Sequence, residues 1–208
     1  MLKITPINWV RKPSIWLRVK EYFHTNDIGW LRYLRVNPDK KIIPLDQKKN
    51  GSCAVFATAG AVMYNTPIRF NNDEVRAMAV EAWALDGAAL WKIAEMFGAA
   101  YNLSYTSFEN IFDPEAQKIL EKGYALVCSV RFWAQFYADG VVDGKVDTEY
   151  SDKKPFLHAM YLIKENGKYY FVNSWAGYEA MGYHNKYEVN MDMIKSKTFL
   201  NIRCYFVA

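Results

Sequence analysis

The chain is poor in groups that cross-link or hold metals. Its 208 residues include three cysteines and three histidines, none at metal-ligand spacing, which argues against both a disulfide scaffold and a zinc cluster. No run approaches the roughly 18 consecutive apolar residues of a membrane span. Repeats and low-complexity linkers are missing too. The start, Met1 to Val10, has one lysine and a short apolar patch broken by Pro6 and Asn8, with no small-residue cleavage site, so no secretion signal is expected. These absences point to a reducing compartment such as the cytoplasm, and to chemistry without a metal or cofactor.

What the chain does contain is apolar mass. Hydrophobic residues make up 51% and aromatics 16%, enough to exclude disorder and to build one sizeable core or two packed subdomains. The net charge of +4 is unevenly spread. Residues 1–41 carry nine Lys/Arg against Glu21, Asp27 and Asp39, so this arm is +6 and the remainder −2. Trp9, Trp16, Tyr22, Trp30 and Tyr33 are interleaved with those charges. Such an arm suits nucleic acid, an anionic surface or an acidic partner, but a solvated face with its aromatics packed inward explains it more simply.

Beyond Pro44 the pattern is helical. Cys53 to Tyr64 is apolar on every side and predicts a short buried helix. Asn71 with Glu74 three residues later forms a capping box, followed by Val75, Met78, Ala79, Ala82 and Trp83 at helical spacing and closed by Asp86-Gly87. A third helix is expected from Ala88 to Phe97, stopping at Gly98, and a fourth from Asp113-Pro114 to Gly123. The second half reads as strands: Tyr124 to Val130, a hairpin of 159–164 and 168–172 about Asn166-Gly167, and a C-terminal strand through Leu200, Ile202, Cys204 and Phe206. Cys128 and Cys204 lie within strand-like runs and read as buried small hydrophobes. Asp143, Asp147, Glu149 and Asp152 lack calcium-loop spacing and read as a solvated loop.

One stretch carries chemistry. Gln47-Lys-Lys-Asn-Gly-Ser-Cys53 places an amide six residues before a thiol at a predicted helix start. His158 and Asn173 follow in the order expected of nucleophile, base and orienter. A helix N-terminus and a nearby imidazolium both favour the thiolate, so a thiolate–imidazolium pair is expected. The Asn173 carboxamide can hold the ring without adding charge, and Trp175 can cover that bond. Gln47 and the Cys53 backbone N–H would face a developing oxyanion. Gly51 is expected to supply a turn conformation closed to other residues. His24 and His184 fall outside the required order.

Gln47, Gly51-Ser-Cys53, Phe56-Ala57, His158-Ala159, Asn173-Ser-Trp175 and Gly182-Tyr183 together resemble the papain-like cysteine peptidases over roughly residues 42–190. Phe136 to Val141 echoes the aromatic, glycine-marked stretch before that family's histidine. Three features differ from the family. Cys53 and His158 are 105 residues apart, against roughly 130–150; Ala54 replaces the tryptophan after the nucleophile; and Asn50 replaces a cysteine. The resemblance implies an α+β, two-lobed papain-like fold, with residues 1–41 as an arm and 42–208 as the catalytic domain. Within that domain, 42–123 would form a helical lobe and 124–208 an antiparallel, barrel-like β lobe, the site lying in the cleft between them. It implies Cys53, His158, Asn173 and Gln47 as the catalytic set, Gly87 and Trp175 as substrate contacts, and a peptide or protein substrate. The same thiol chemistry serves an isopeptidase, amidase or acyltransferase, and a non-catalytic protein docking through its arm is the remaining alternative. An arm that blocks the cleft is a further one.

Overall fold

The computed structural model describes residues 40–48, 50–132, 156–175, 185–189 and 203–208. The basic aromatic arm up to residue 39, Phe136 to Val141, the acidic loop, Gly182-Tyr183, His24 and His184 lie outside the described residues. The architecture is α+β. Helices α1 (Cys53–Asn65), α2 (Asn72–Glu81), α3 (Leu90–Tyr101) and α4 (Pro114–Glu121) accompany one antiparallel six-stranded sheet. Its strands are β1 (Tyr105–Phe108), β2 (Leu126–Phe132), β3 (Phe156–Glu165), β4 (Lys168–Val172), β5 (Lys186–Val189) and β6 (Cys204–Val207), in the order β1-β6-β2-β3-β4-β5. The expected barrel-like closure does not occur among the described residues: β1 and β5 form the two ends of the order and do not pair with each other.

Helix α1 has no polar stripe because it has no solvent face. Every residue from Ala54 to Asn65 is buried. Each fully buried Val or Phe of this kind contributes about 1.5–3 kcal/mol. Gly60 lets the helix lie close on β3, since a methyl there would sit 2.5 Å from Tyr161 Cε1. At the helix end, buried Asn65 ties three elements together. Its Nδ2 donates to Ala125 O (3.1 Å) and Val207 O (3.0 Å), and its Oδ1 accepts from Ala125 N (2.7 Å).

Period-2 alternation sorts the strands onto two cores. Val127, Ala159, Tyr161, Ile163, Tyr205 and Val207 share a cluster with α1. The residues between them in sequence, among them Leu126, Cys128, Met160, Leu162, Cys204 and Phe206, are buried outside that cluster, as are Ile119 and Leu120 of α4.

Several predicted boundaries hold. The capping box is complete: Asn71 Oδ1 accepts from Asp73 N and Glu74 N, and Glu74 Oε2 accepts from Asn71 N at 2.8 Å. Asp113 Oδ1 caps α4 through Glu115 N at 2.8 Å. Asn166 and Gly167 both have positive φ (51° and 79°), the backbone that a two-residue hairpin requires. Strand β2 lies two residues later than expected, β3 begins three residues earlier and α3 begins at Leu90 rather than Ala88; two helix ends also differ. Helix α2 stops at Glu81, because Trp83 turns left-handed (φ 53°) and Ala84 N bonds back to Ala79 O (2.9 Å). Helix α3 runs through Gly98 and ends where Asn102 turns left-handed (φ 54°).

Candidate active site

Cys53 opens α1, and the preceding turn is held by its own polar groups. Ser52 Oγ donates to Asn50 Oδ1, and Ser52 N donates to the same oxygen at 3.4 Å. Gly51 is glycine for a reason other than the one expected. It is absent from the positive-φ glycines. A Cβ there would lie 2.8 Å from Asp86 C and 2.9 Å from Gly87 N, and Gly51 N donates to Leu85 O at 2.6 Å. Backbone meets backbone, so no side chain fits. The contact brings the Leu85–Gly87 segment against the turn that precedes Cys53, and Gly87 itself has φ 112° with open space where a Cβ would be. Just before it stands Trp83, 93% exposed.

Cys53 is the only one of the three thiols with partial solvent exposure; Cys128 and Cys204 are fully buried. Its sulfur is approached by the backbone N–H of Ala159, and by those of Ala54 and Cys53 itself. Ala159 follows His158 directly on β3, so the first residue of α1 lies against the strand that carries the imidazole.

His158 and Asn173 meet 15 residues apart, across the β3–β4 hairpin. His158 Nε2 and Asn173 Oδ1 are 2.8 Å apart, both residues being buried. Ser174 N also donates to Asn173 Oδ1, at 2.8 Å. A backbone N–H only donates, so that atom is the carboxamide oxygen, and the imidazole presents a proton from Nε2. Nδ1 is therefore the basic nitrogen. Asn173 N is fixed in turn by Asn185 O at 2.7 Å. Trp175 stacks on the imidazole with ring centroids 4.5 Å apart and planes 19° apart, which holds the ring and shields its bond to Asn173.

Gln47 is buried and joined to this segment from the other end of the chain. Gln47 N donates to Ser174 O (2.9 Å), and Asp46 pairs with Trp175 in an antiparallel bridge. Ser174 Oγ donates to Gln47 Oε1 at 2.5 Å, turning Nε2 toward the turn that precedes Cys53, where one of its protons goes to Asn50 O (2.9 Å). The structure joins Gln47 to Ser174 by backbone and side chain and Asn173 to His158 by side chains, and it packs the helix that Cys53 opens on the strand that carries His158. Three contributors were not anticipated. Asn50 anchors the turn, Ser174 orients Gln47, and the Ala159 N–H faces the sulfur. Only Ser174 had a sequence signal, its place between Asn173 and Trp175.

Burial opposes both charges of the expected ion pair. Desolvation raises the Cys53 thiol above its ordinary value, only partly offset by the N–H of Ala159. Desolvation also lowers His158 to about 4, against the bond to Asn173. Each shift favours the neutral form of its own group, and so acts against the expected thiolate–imidazolium pair. This has a consequence for stability. The unfolded chain binds a proton on this histidine between its ordinary value of about 6.5 and about 4, where the folded chain does not. Stability from this group is thus present above pH 6.5 and is lost as pH falls toward 4, by about 3 kcal/mol in all. Denaturant melts at several pH values should show that slope in the wild type and a flatter one in His158→Gln.

Among the described residues no group of three His, Cys, Asp or Glu side chains could hold a metal ion, and no helix is long and apolar enough to cross a membrane.

No family model matches the chain, and no curated protein matches it. Among solved structures the chain is similar to one from a study of the limited antibody cross reactivity between the mite allergens Blo t 1 and Der p 1. That likeness has a TM-score of 0.47 and 14% identity, covering 86% of this chain and 69% of that one.

Proposed function

We propose that this protein is a papain-like cysteine peptidase that cleaves peptide bonds through an acyl-enzyme on Cys53. The observation that carries the reading is the imidazole itself. Asn173 takes its Nε2–H at 2.8 Å, Trp175 stacks on it, and the strand that carries it packs against the helix that Cys53 opens. A buried histidine kept only for packing needs no such orientation beside a partly exposed thiol at a helix N-terminus.

The mechanism starts from the neutral forms that both shifts favour. As a carbonyl carbon approaches, Cys53 Sγ attacks it while Nδ1 of His158 takes the thiol proton. Charge then appears on the carbonyl oxygen, faced by the Cys53 N–H and the second Nε2–H of Gln47. The tetrahedral centre collapses, the amine leaves with the proton from Nδ1, and a thioester remains. Water attacks the thioester and gives its proton to Nδ1. Cys53 departs as thiolate and recovers that proton, releasing the acid. Gly87 offers backbone to the substrate chain, and Trp175 lines the site behind the imidazole.

Gln47→Ala should lower kcat by about 10²–10³-fold with little change in KM, because its donor acts on charge that exists only in the transition state. Ser174→Ala should give a smaller loss of the same kind. The double variant should be no worse than Gln47→Ala, since Ser174 acts through Gln47. Steady-state kinetics on a fluorogenic peptide amide measure all three. Unchanged kcat in Gln47→Ala would remove the oxyanion role.

A further inference from the structure

Two thiols outside the site face each other across the sheet. Cys128 of β2 is in register with Cys204 of β6, and both are fully buried. Ladder phase determines which kind of pair they form. Ser129 N donates to Arg203 O (3.4 Å), which makes 129–203 a hydrogen-bonded pair. Pairs alternate along an antiparallel ladder, so 128–204 is a non-hydrogen-bonded pair, where Cα atoms are about 4.5 Å apart. That separation falls at the short end of the roughly 4.4–6.8 Å that a disulfide spans. Cys128 Sγ reaches Leu126 O at 3.7 Å, and the Cys204 thiol is near enough to raise the Cys128 pKa.

We infer that Cys128 and Cys204 form a cross-strand disulfide when the folded protein meets a peroxide, an oxidation that leaves Cys53 out. Among the described residues β2 and β6 share two register pairs, against seven between β2 and β3. β6 is also what joins β1 to the rest of the sheet. Opening of this seam admits a small oxidant to an otherwise closed pair. In the first step one thiol loses its proton and the thiolate attacks hydrogen peroxide, giving a sulfenic acid and hydroxide, which takes up that proton as water. The second thiol then attacks the sulfenic sulfur, forming the S–S bond and releasing a second water. Two thiols lose two electrons in all, and one peroxide is reduced to two waters.

Burial and the neighbouring Cys204 push the Cys128 thiol well above its ordinary value, so the first step waits on opening and is slow. Once formed, the bond encloses the chain between 128 and 204, including His158 and Asn173. Such a long loop restricts the unfolded state and should raise Tm by about 10 °C.

The test incubates the folded full chain with a few equivalents of hydrogen peroxide, then denatures it, alkylates free thiols and digests with trypsin. Expected is a single linked species joining peptides 123–131 and 204–208, 2 Da lighter than their sum, with a Tm increase that dithiothreitol reverses. Oxidation of Cys53 appears on its own peptide and does not interfere. In Cys204→Val the linked species and the Tm increase should both be lost, and the wild-type peptide map stands even if that variant folds poorly. Recovery of both peptides fully alkylated, or linkage of either cysteine to Cys53, would overturn the inference.

Discussion

Cys53→Ala is expected to lower kcat/KM for a peptide amide by about 10⁵-fold or more, with the fold and melting behaviour nearly unchanged. The size follows from the chemistry, because covalent catalysis splits one difficult step into two easier ones and no other group here supplies that route. Cys128 and Cys204 cannot substitute, being fully buried in the sheet. The small stability effect follows from position: Cys53 is half-buried at the margin of the core, and alanine keeps part of its packing. Alanine there also removes a thiol whose burial raises its pKa. Turnover within tenfold of wild type would show that catalysis lies elsewhere.

His158→Ala should cost about 10⁴-fold in kcat, and the shape of its pH profile separates loss of a base from loss of structure. On the proposed mechanism the neutral imidazole of the wild type takes the thiol proton. Activity should therefore persist below pH 6.5 and fall only as pH drops through the histidine's lowered value of about 4. Without His158 the thiol must ionise unaided, and burial makes that harder still. Residual activity in the variant should then rise about tenfold per pH unit up to pH 9 or beyond, with no acid limb near 4. A variant keeping the wild-type profile at reduced amplitude would contradict the assignment of His158 as base. Rates against pH on one substrate, with folding checked by near-UV circular dichroism, distinguish the two.

The residues of the candidate site stand out in the sequence because their types and order are improbable together, while their contacts do not. Gln47 reads as an oxyanion donor from its spacing to Cys53, but the Ser174 hydroxyl that orients it lies 127 positions away. Gly51 suggests a turn conformation closed to other residues, yet its φ is not positive; what excludes a side chain is the backbone at Asp86 and Gly87, brought there by tertiary packing. The ion pair was expected from a helix terminus and a neighbouring ring, both local features. Desolvation, which opposes it, depends on everything packed around those groups.

The fold divides along the same line. The apolar run of α1, the Asn71 capping box and the Asn166-Gly167 turn are local signals, and each was readable. Strands β1 and β5 are four residues each and escaped notice, because Tyr105–Phe108 is a strand only through its pairing with β6, and Lys186–Val189 through its pairing with β4. The open order of the sheet escaped for the same reason, since alternation along a strand says nothing about which edges meet.

Mass spectrometry of the wild-type protein after exposure to an epoxide-bearing peptide bears most directly on whether thiol, imidazole and carboxamide act as one unit. The prediction is a single adduct, on Cys53, formed faster than with a free thiol of ordinary reactivity and slowed in His158→Ala. Failure to label, or an adduct on Cys128 or Cys204 with Cys53 unmodified, would contradict it.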